Sequence, residues 1–200
     1  RLKGEKHEHT SLFDGLALLK RPRFGYGAAC IFLYVGAEVA IGSFIVNYLM
    51  QADVLGLGEQ AAGKLIPVYW GGALVGRFIG SAVLRMVSPG LLLATVATGA
   101  ITLIAISANS TGALAGYSLL AVGLMNAIMF PTIFSLACEK LGPRAADGSG
   151  IINVAICGGA IIPPMFGALA DETSLAFALL LPAACYAIIA GFGIFARKPA

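Results

Sequence analysis

Only two charged side chains lie well inside the apolar runs of this sequence, Glu38 and Arg77. At the centre of a bilayer each costs at least about 2.5–3.5 kcal/mol, so neither is expected to face hydrocarbon. At helical spacing Glu38 shares a face with Tyr34, Ile41, Ile45 and Tyr48, and Arg77 shares one with Trp70, Ala73 and Ser81. Asn126 and Asn153 are further strong hydrogen-bonding groups within apolar runs. A carboxylate, a guanidinium, two amides and aromatic rings suit a polar ligand held by hydrogen bonds. No Ser/His/Asp set, metal cluster or phosphate loop accompanies them, so the residues are read in binding roles, with no enzyme activity and no cofactor. His7-Glu8-His9 is the one metal-like spacing, and a solvated linker explains it more simply. The four cysteines, Cys30, Cys138, Cys157 and Cys185, have no zinc-type or disulfide-type spacing and read as buried thiols.

The elements that position these groups follow from composition. The chain has 200 residues, 58% hydrophobic and 12% charged, and a mean hydropathy of +0.89. Soluble domains run about 45–50% apolar and about 25% charged. The excess excludes a disordered tail, a nucleic-acid binder and most soluble enzymes, and makes lipid a partner. Continuous apolar runs place six spans at about 24–50, 65–87, 90–109, 113–138, 149–169 and 175–196, forming a membrane domain over 24–196. Residues 1–23 read as a cytoplasmic linker with a short amphipathic stretch over 10–20, and 197–200 as a cytoplasmic tail. A membrane barrel would alternate apolar and polar residues instead.

Basic residues divide by side. Alternate connectors put Arg1, Lys3, Lys6, Lys20, Arg21, Arg23, Arg85, Lys140, Arg144, Arg197 and Lys198 on one side and only Lys64 on the other. By the positive-inside rule both ends are cytoplasmic and the number of spans is even. Measured from those ends, Glu38 lies roughly 21 Å deep and Arg77 roughly 15 Å deep, at about 1.5 Å per residue. An ion pair or a water-bridged contact between them is predicted in at least one conformation. It serves either a ligand or the joining of two helices.

An ungapped shift of 87 residues superposes the first three spans on the last three. It sets Val35-Gly36 on Val122-Gly123, Gly71-Gly72-Ala73 on Gly158-Gly159-Ala160, and Gly80 on Gly167. Three spans followed by their repeat insert in opposite senses, the 3+3 inverted repeat of secondary transporters. The third and sixth spans hold no charge or amide in their interior and are expected to face lipid. Pro131 is expected to kink the fourth span and Pro182 sits in the sixth. Gly158 and Gly159, with Pro163 and Pro164, are expected to break the fifth. The glycine pair suits close packing as well as a hinge.

Four strings carry a family resemblance: YVGAEVAIGSF (34–44), GRFIGSAVLRMVSPG (76–90), MFPTIFSLA (129–137) and GGAIIPP (158–164). Together they resemble the fucose–galactose–glucose:proton symporter family of the major facilitator superfamily, of the glucose/galactose transporter or L-fucose permease type. The resemblance covers nearly all of the chain but only the carboxy-terminal half of a family member. It implies an all-α membrane fold of twelve helices in two halves, with a sugar bound between them and moved by alternating access, by proton symport, in a bacterial inner membrane. By this resemblance Glu38 falls where family members carry glutamate or glutamine, which favours sugar hydrogen bonding over obligatory proton carriage. Asn126 is the next candidate ligand, followed by Asn153, Tyr34 and Trp70. The implied partners are a sugar, protons, and a missing amino-terminal half or a second copy. Two other readings stay open: a stand-alone half that works as a dimer, and a sugar-binding sensor or remnant that moves nothing.

Overall fold

The computed structural model describes residues 15–198, and His7-Glu8-His9 and most of the linker lie outside them. Among the described residues the fold is all helical, in six rods joined by short connectors. The first rod is α1 (Pro22–Met50), the second α2 (Ile66–Val83) and the third α3 (Pro89–Ala108). The fourth is α4 (Gly112–Asn126) followed by α5 (Met129–Ala137). The fifth is α6 (Ala145–Ala155) followed by α7 (Gly158–Glu172). The sixth is α8 (Leu180–Phe195), entered through a short helix at Leu175–Ala178. Three rods open with proline in the first turn, where its missing N–H costs nothing. Ser174 caps the entry to the sixth, its Oγ accepting from the Phe177 amide at 3.1 Å.

By length and apolarity alone, five of these rods suffice to cross a membrane. The second is not among them. Its 18 residues include Arg77, Tyr69, Trp70 and four glycines, which trade apolarity for close packing and an open polar face.

The packing obeys a two-fold rule. The first rod lies along the fifth as the fourth lies along the second; the first meets the sixth as the fourth meets the third; the third and sixth pack on each other. Exchanging one triplet for the other returns the same list. Each triplet has an odd number of rods, so the triplets run in opposite senses. Glycines at matched positions make the matched contacts. A Cβ on Gly36 would collide with Ile162 of the fifth rod, and one on Gly123 with the Tyr69 backbone of the second. Gly80 stands against Ile128, and Gly167 against Phe44. Small residues let the rods approach where lipid supplies no hydrophobic drive between them.

Two of the expected breaks fall near Pro131 and Gly158, but Pro163 and Pro164 do not break the fifth rod. The fourth rod breaks at Ala127-Ile128, and Pro131 is the third residue of α5. The fifth breaks at Ile156-Cys157, while Pro163 and Pro164 lie within an unbroken α7. Gly158 is a packing residue: a Cβ there would strike the Phe32 carbonyl of the first rod. The sixth rod starts afresh at Leu180, with Pro182 in its first turn.

Candidate functional site

The break in the fourth rod is the origin of the site. A proline at 131 has no N–H to give the Ala127 carbonyl, and ending α4 at Asn126 frees the carbonyl there. Both are satisfied from neighbouring rods. Tyr34 of α1 donates to the Asn126 carbonyl at 3.1 Å. Arg77 Nε of α2 donates to the Ala127 carbonyl at 3.4 Å, a long contact. Within a membrane such groups must find protein or cavity water, and here they recruit the two rods that carry the candidate ligands.

Around the break lies a buried polar network. Asn126 is fully enclosed, with 0% exposure. Its Nδ2 donates to Tyr69 Oη at 2.9 Å and its Oδ1 accepts from Tyr186 Oη at 2.7 Å. Tyr69 donates in turn to the Glu38 carbonyl at 3.3 Å. The Tyr34 hydroxyl also lies 2.8 Å from Glu38 Oε1, so its one proton is shared between this carboxylate and the Asn126 carbonyl. The first, second, fourth and sixth rods are thus tied together by side chains from each.

The sequence-predicted residues separate into two groups. Tyr34 and Asn126 are buried and already engaged, so they lie beneath the face and do not offer free hydrogen bonds to a ligand in this conformation. Glu38 is half-buried at the edge of the face. Trp70, 45% exposed, and Arg77 stand on its open side. The Trp70 ring meets Tyr69 edge-on at 5.1 Å, and Gly42 leaves the space its edge occupies. Asn153 is exposed on α6 of the fifth rod. No ion pair joins Glu38 to Arg77 here. The Glu38 carboxylate accepts from Tyr34, and Arg77 reaches toward the Ala127 carbonyl that Pro131 frees.

Sequence reasoning missed Tyr69 and Tyr186. Tyr69 heads the buried stripe Tyr69, Ala73, Gly76 and Gly80, whose spacing of three to four marks one helix face. Tyr186 belongs to the buried set Pro182, Cys185, Tyr186, Ile189, Phe192 and Gly193. The sixth rod, expected to face lipid, therefore also supplies the network. Its partial burial against the first and third rods turns one side inward.

A six-rod helical unit in two matching triplets is the half-fold that the inverted repeat predicts. The chain belongs to the Major Facilitator Superfamily, whose family description it matches over residues 1–164. It is 52% identical over 172 residues to a glucose/galactose transporter of Brucella abortus (strain 9-941), covering 86% of this chain and 42% of that protein. A putative glucose/galactose transporter of Helicobacter pylori (strain 26695) is 44% identical over 187 residues, covering 91% of this chain and 46% of that protein. The L-fucose-proton symporter of Escherichia coli K12 is 32% identical over 170 residues, covering 84% and 39%. Among solved structures, FucP in the outward conformation superposes with a TM-score of 0.89 at 30% identity, covering 98% of this chain and 48% of that one. The chain thus spans less than half the length of these relatives.

Proposed function

We propose that this chain is the carboxy-terminal half of a proton-coupled hexose transporter and forms one wall of the sugar path. Its partner is an amino-terminal six-helix half, and both ends of the chain lie in the cytoplasm of a bacterial inner membrane. The observation that carries the reading is the face holding Glu38, Trp70 and Arg77. A half-buried carboxylate and an exposed guanidinium on membrane helices need a wet, protein-lined space opposite them. The relatives named as glucose/galactose transporters and as an L-fucose-proton symporter support the substrate class, and their doubled length supports the missing half.

On this reading Glu38 accepts sugar hydroxyl protons in hydrogen bonds and Trp70 covers an apolar ring face. Asn153, exposed on the fifth rod, offers an amide from the opposite triplet. Arg77 exchanges the Ala127 carbonyl for the Glu38 carboxylate as the helices rock, so the ion pair forms in another conformation. The test is uptake of labelled glucose, galactose and L-fucose into vesicles bearing the full-length protein, with and without an imposed pH gradient. Uptake driven by the gradient and lowered at least tenfold by Glu38→Ala is expected. Binding without uptake would replace the carrier with a sensor. Uptake with an unchanged pH profile in Glu38→Gln would remove any proton role from this residue.

A further inference from the structure

The buried hydrogen bonds around Asn126 run in one direction. Tyr186 donates to Asn126 Oδ1, Asn126 Nδ2 donates to Tyr69 Oη, and Tyr69 donates to the Glu38 carbonyl. A hydroxyl has one proton and an amide oxygen has none, so each link depends on the one before it. The sixth rod stands at the donor end of the chain and Glu38 at the acceptor end. Tyr186 and Asn126 are 0% exposed, and Tyr69 is 1% exposed, so water cannot replace a lost partner.

We infer that Tyr186 is a positioning residue for Glu38, acting through Asn126 and Tyr69 on a ligand face it does not touch. The inference rests on the binding role proposed for that face. Its physical basis is the orientation of the Asn126 amide. Without the Tyr186 hydroxyl, Oδ1 loses its donor and nothing holds the amide against turning over. A turned amide presents its oxygen to Tyr69, whose single proton then goes to Asn126. The Glu38 carbonyl loses its donor, and the first rod loses its tie to the second at the residue that carries the carboxylate.

The test uses the full-length protein with four sequences: wild type, Tyr186→Phe, Asn126→Leu and the double variant. Tyr186→Phe keeps the buried ring and removes one hydroxyl. Equilibrium binding of labelled glucose, galactose and L-fucose is the first readout. Tyr186→Phe should weaken binding about tenfold at unchanged folded yield, and the double variant should bind no more weakly than Asn126→Leu alone. Unchanged affinity in Tyr186→Phe, or losses that add in the double variant, would overturn the inference. The second readout needs no sugar. Amide hydrogen exchange across residues 34–42 and 126–130 should quicken about tenfold in Tyr186→Phe, with no further gain in the double variant. Unchanged exchange would overturn the positioning role. A wild type that binds none of the three hexoses would count against the transport reading, with the exchange result still deciding the role of Tyr186.

Discussion

Arg23, at the start of the first rod, clasps the ends of two others, and removing it should loosen the bundle measurably. Its Nε donates to the Leu136 carbonyl at 2.9 Å and its Nη1 to the Lys198 carbonyl at 2.8 Å. Its Nη2 pairs with the Glu139 carboxylate and reaches the Ala196 carbonyl at 3.3 Å. These acceptors lie at the ends of the fourth and sixth rods, where helix carbonyls lack partners and a cation is favoured. The Arg23 side chain is 16% exposed and that of Glu139 35%. The bond to Leu136 is the better shielded and should contribute about 1.5 kcal/mol, within the range for charged donors. The more exposed ion pair and tail contacts should add about 1.5 kcal/mol together. Arg23→Ala should therefore cost about 3 kcal/mol, a fall in melting temperature of about 6–12 °C at 2–4 °C per kcal/mol. A thiol-reactive dye reads the transition, because Cys30 and Cys185 are 0% and 3% exposed and react on unfolding. Cys157 is exposed and is labelled beforehand. Arg23→Lys should recover only about a third, since an ammonium cannot fork to the ends of two rods as a guanidinium does. Glu139→Gln, which removes the charge from one of four acceptors, should cost less than Arg23→Ala. A melting temperature unchanged in Arg23→Ala, or fully kept in Arg23→Lys, would refute the clasp.

Two further outcomes follow from the rods themselves. Gly36→Ala and Gly123→Ala should each cost about 1–3 kcal/mol by overpacking matched contacts; Gly71→Ala, with nothing within 4 Å of its Cβ position, should be neutral or stabilising. The same dye assay checks all three, and a cost for Gly71→Ala equal to the others would undo the packing account. Pro131→Ala restores an N–H that competes with Arg77 for the Ala127 carbonyl, so maximal uptake should fall several-fold while sugar affinity stays within about twofold. Uptake kinetics identical to wild type would separate Pro131 from Arg77.

The rods, their order and their two-fold repeat were legible in the chain because they are local or periodic. Apolar runs of span length, short polar connectors and glycines recurring at 87 residues all survive reading in one dimension. Glu38, Trp70 and Arg77 were legible for a related reason: a charge or an indole within an apolar run is conspicuous whatever surrounds it. Tyr69 and Tyr186 were not, since each stands among apolar residues and is chemically unremarkable until its neighbours are known.

What tertiary structure alone decided was rotation and pairing. A helix that is apolar all round gives no sign of which side faces the bundle. The turn of the sixth rod that carries Tyr186 inward, the enclosure of Asn126 and the placing of Tyr34 beneath Glu38 were set by contacts between rods distant in sequence. The same holds for Arg77, whose partner here is a carbonyl freed by Pro131, fifty-odd residues along the chain. Sequence determines which backbone groups a proline leaves unpaired; only the packed bundle determines which side chain comes to satisfy them, because in a membrane nearly every such group must be met from within the protein.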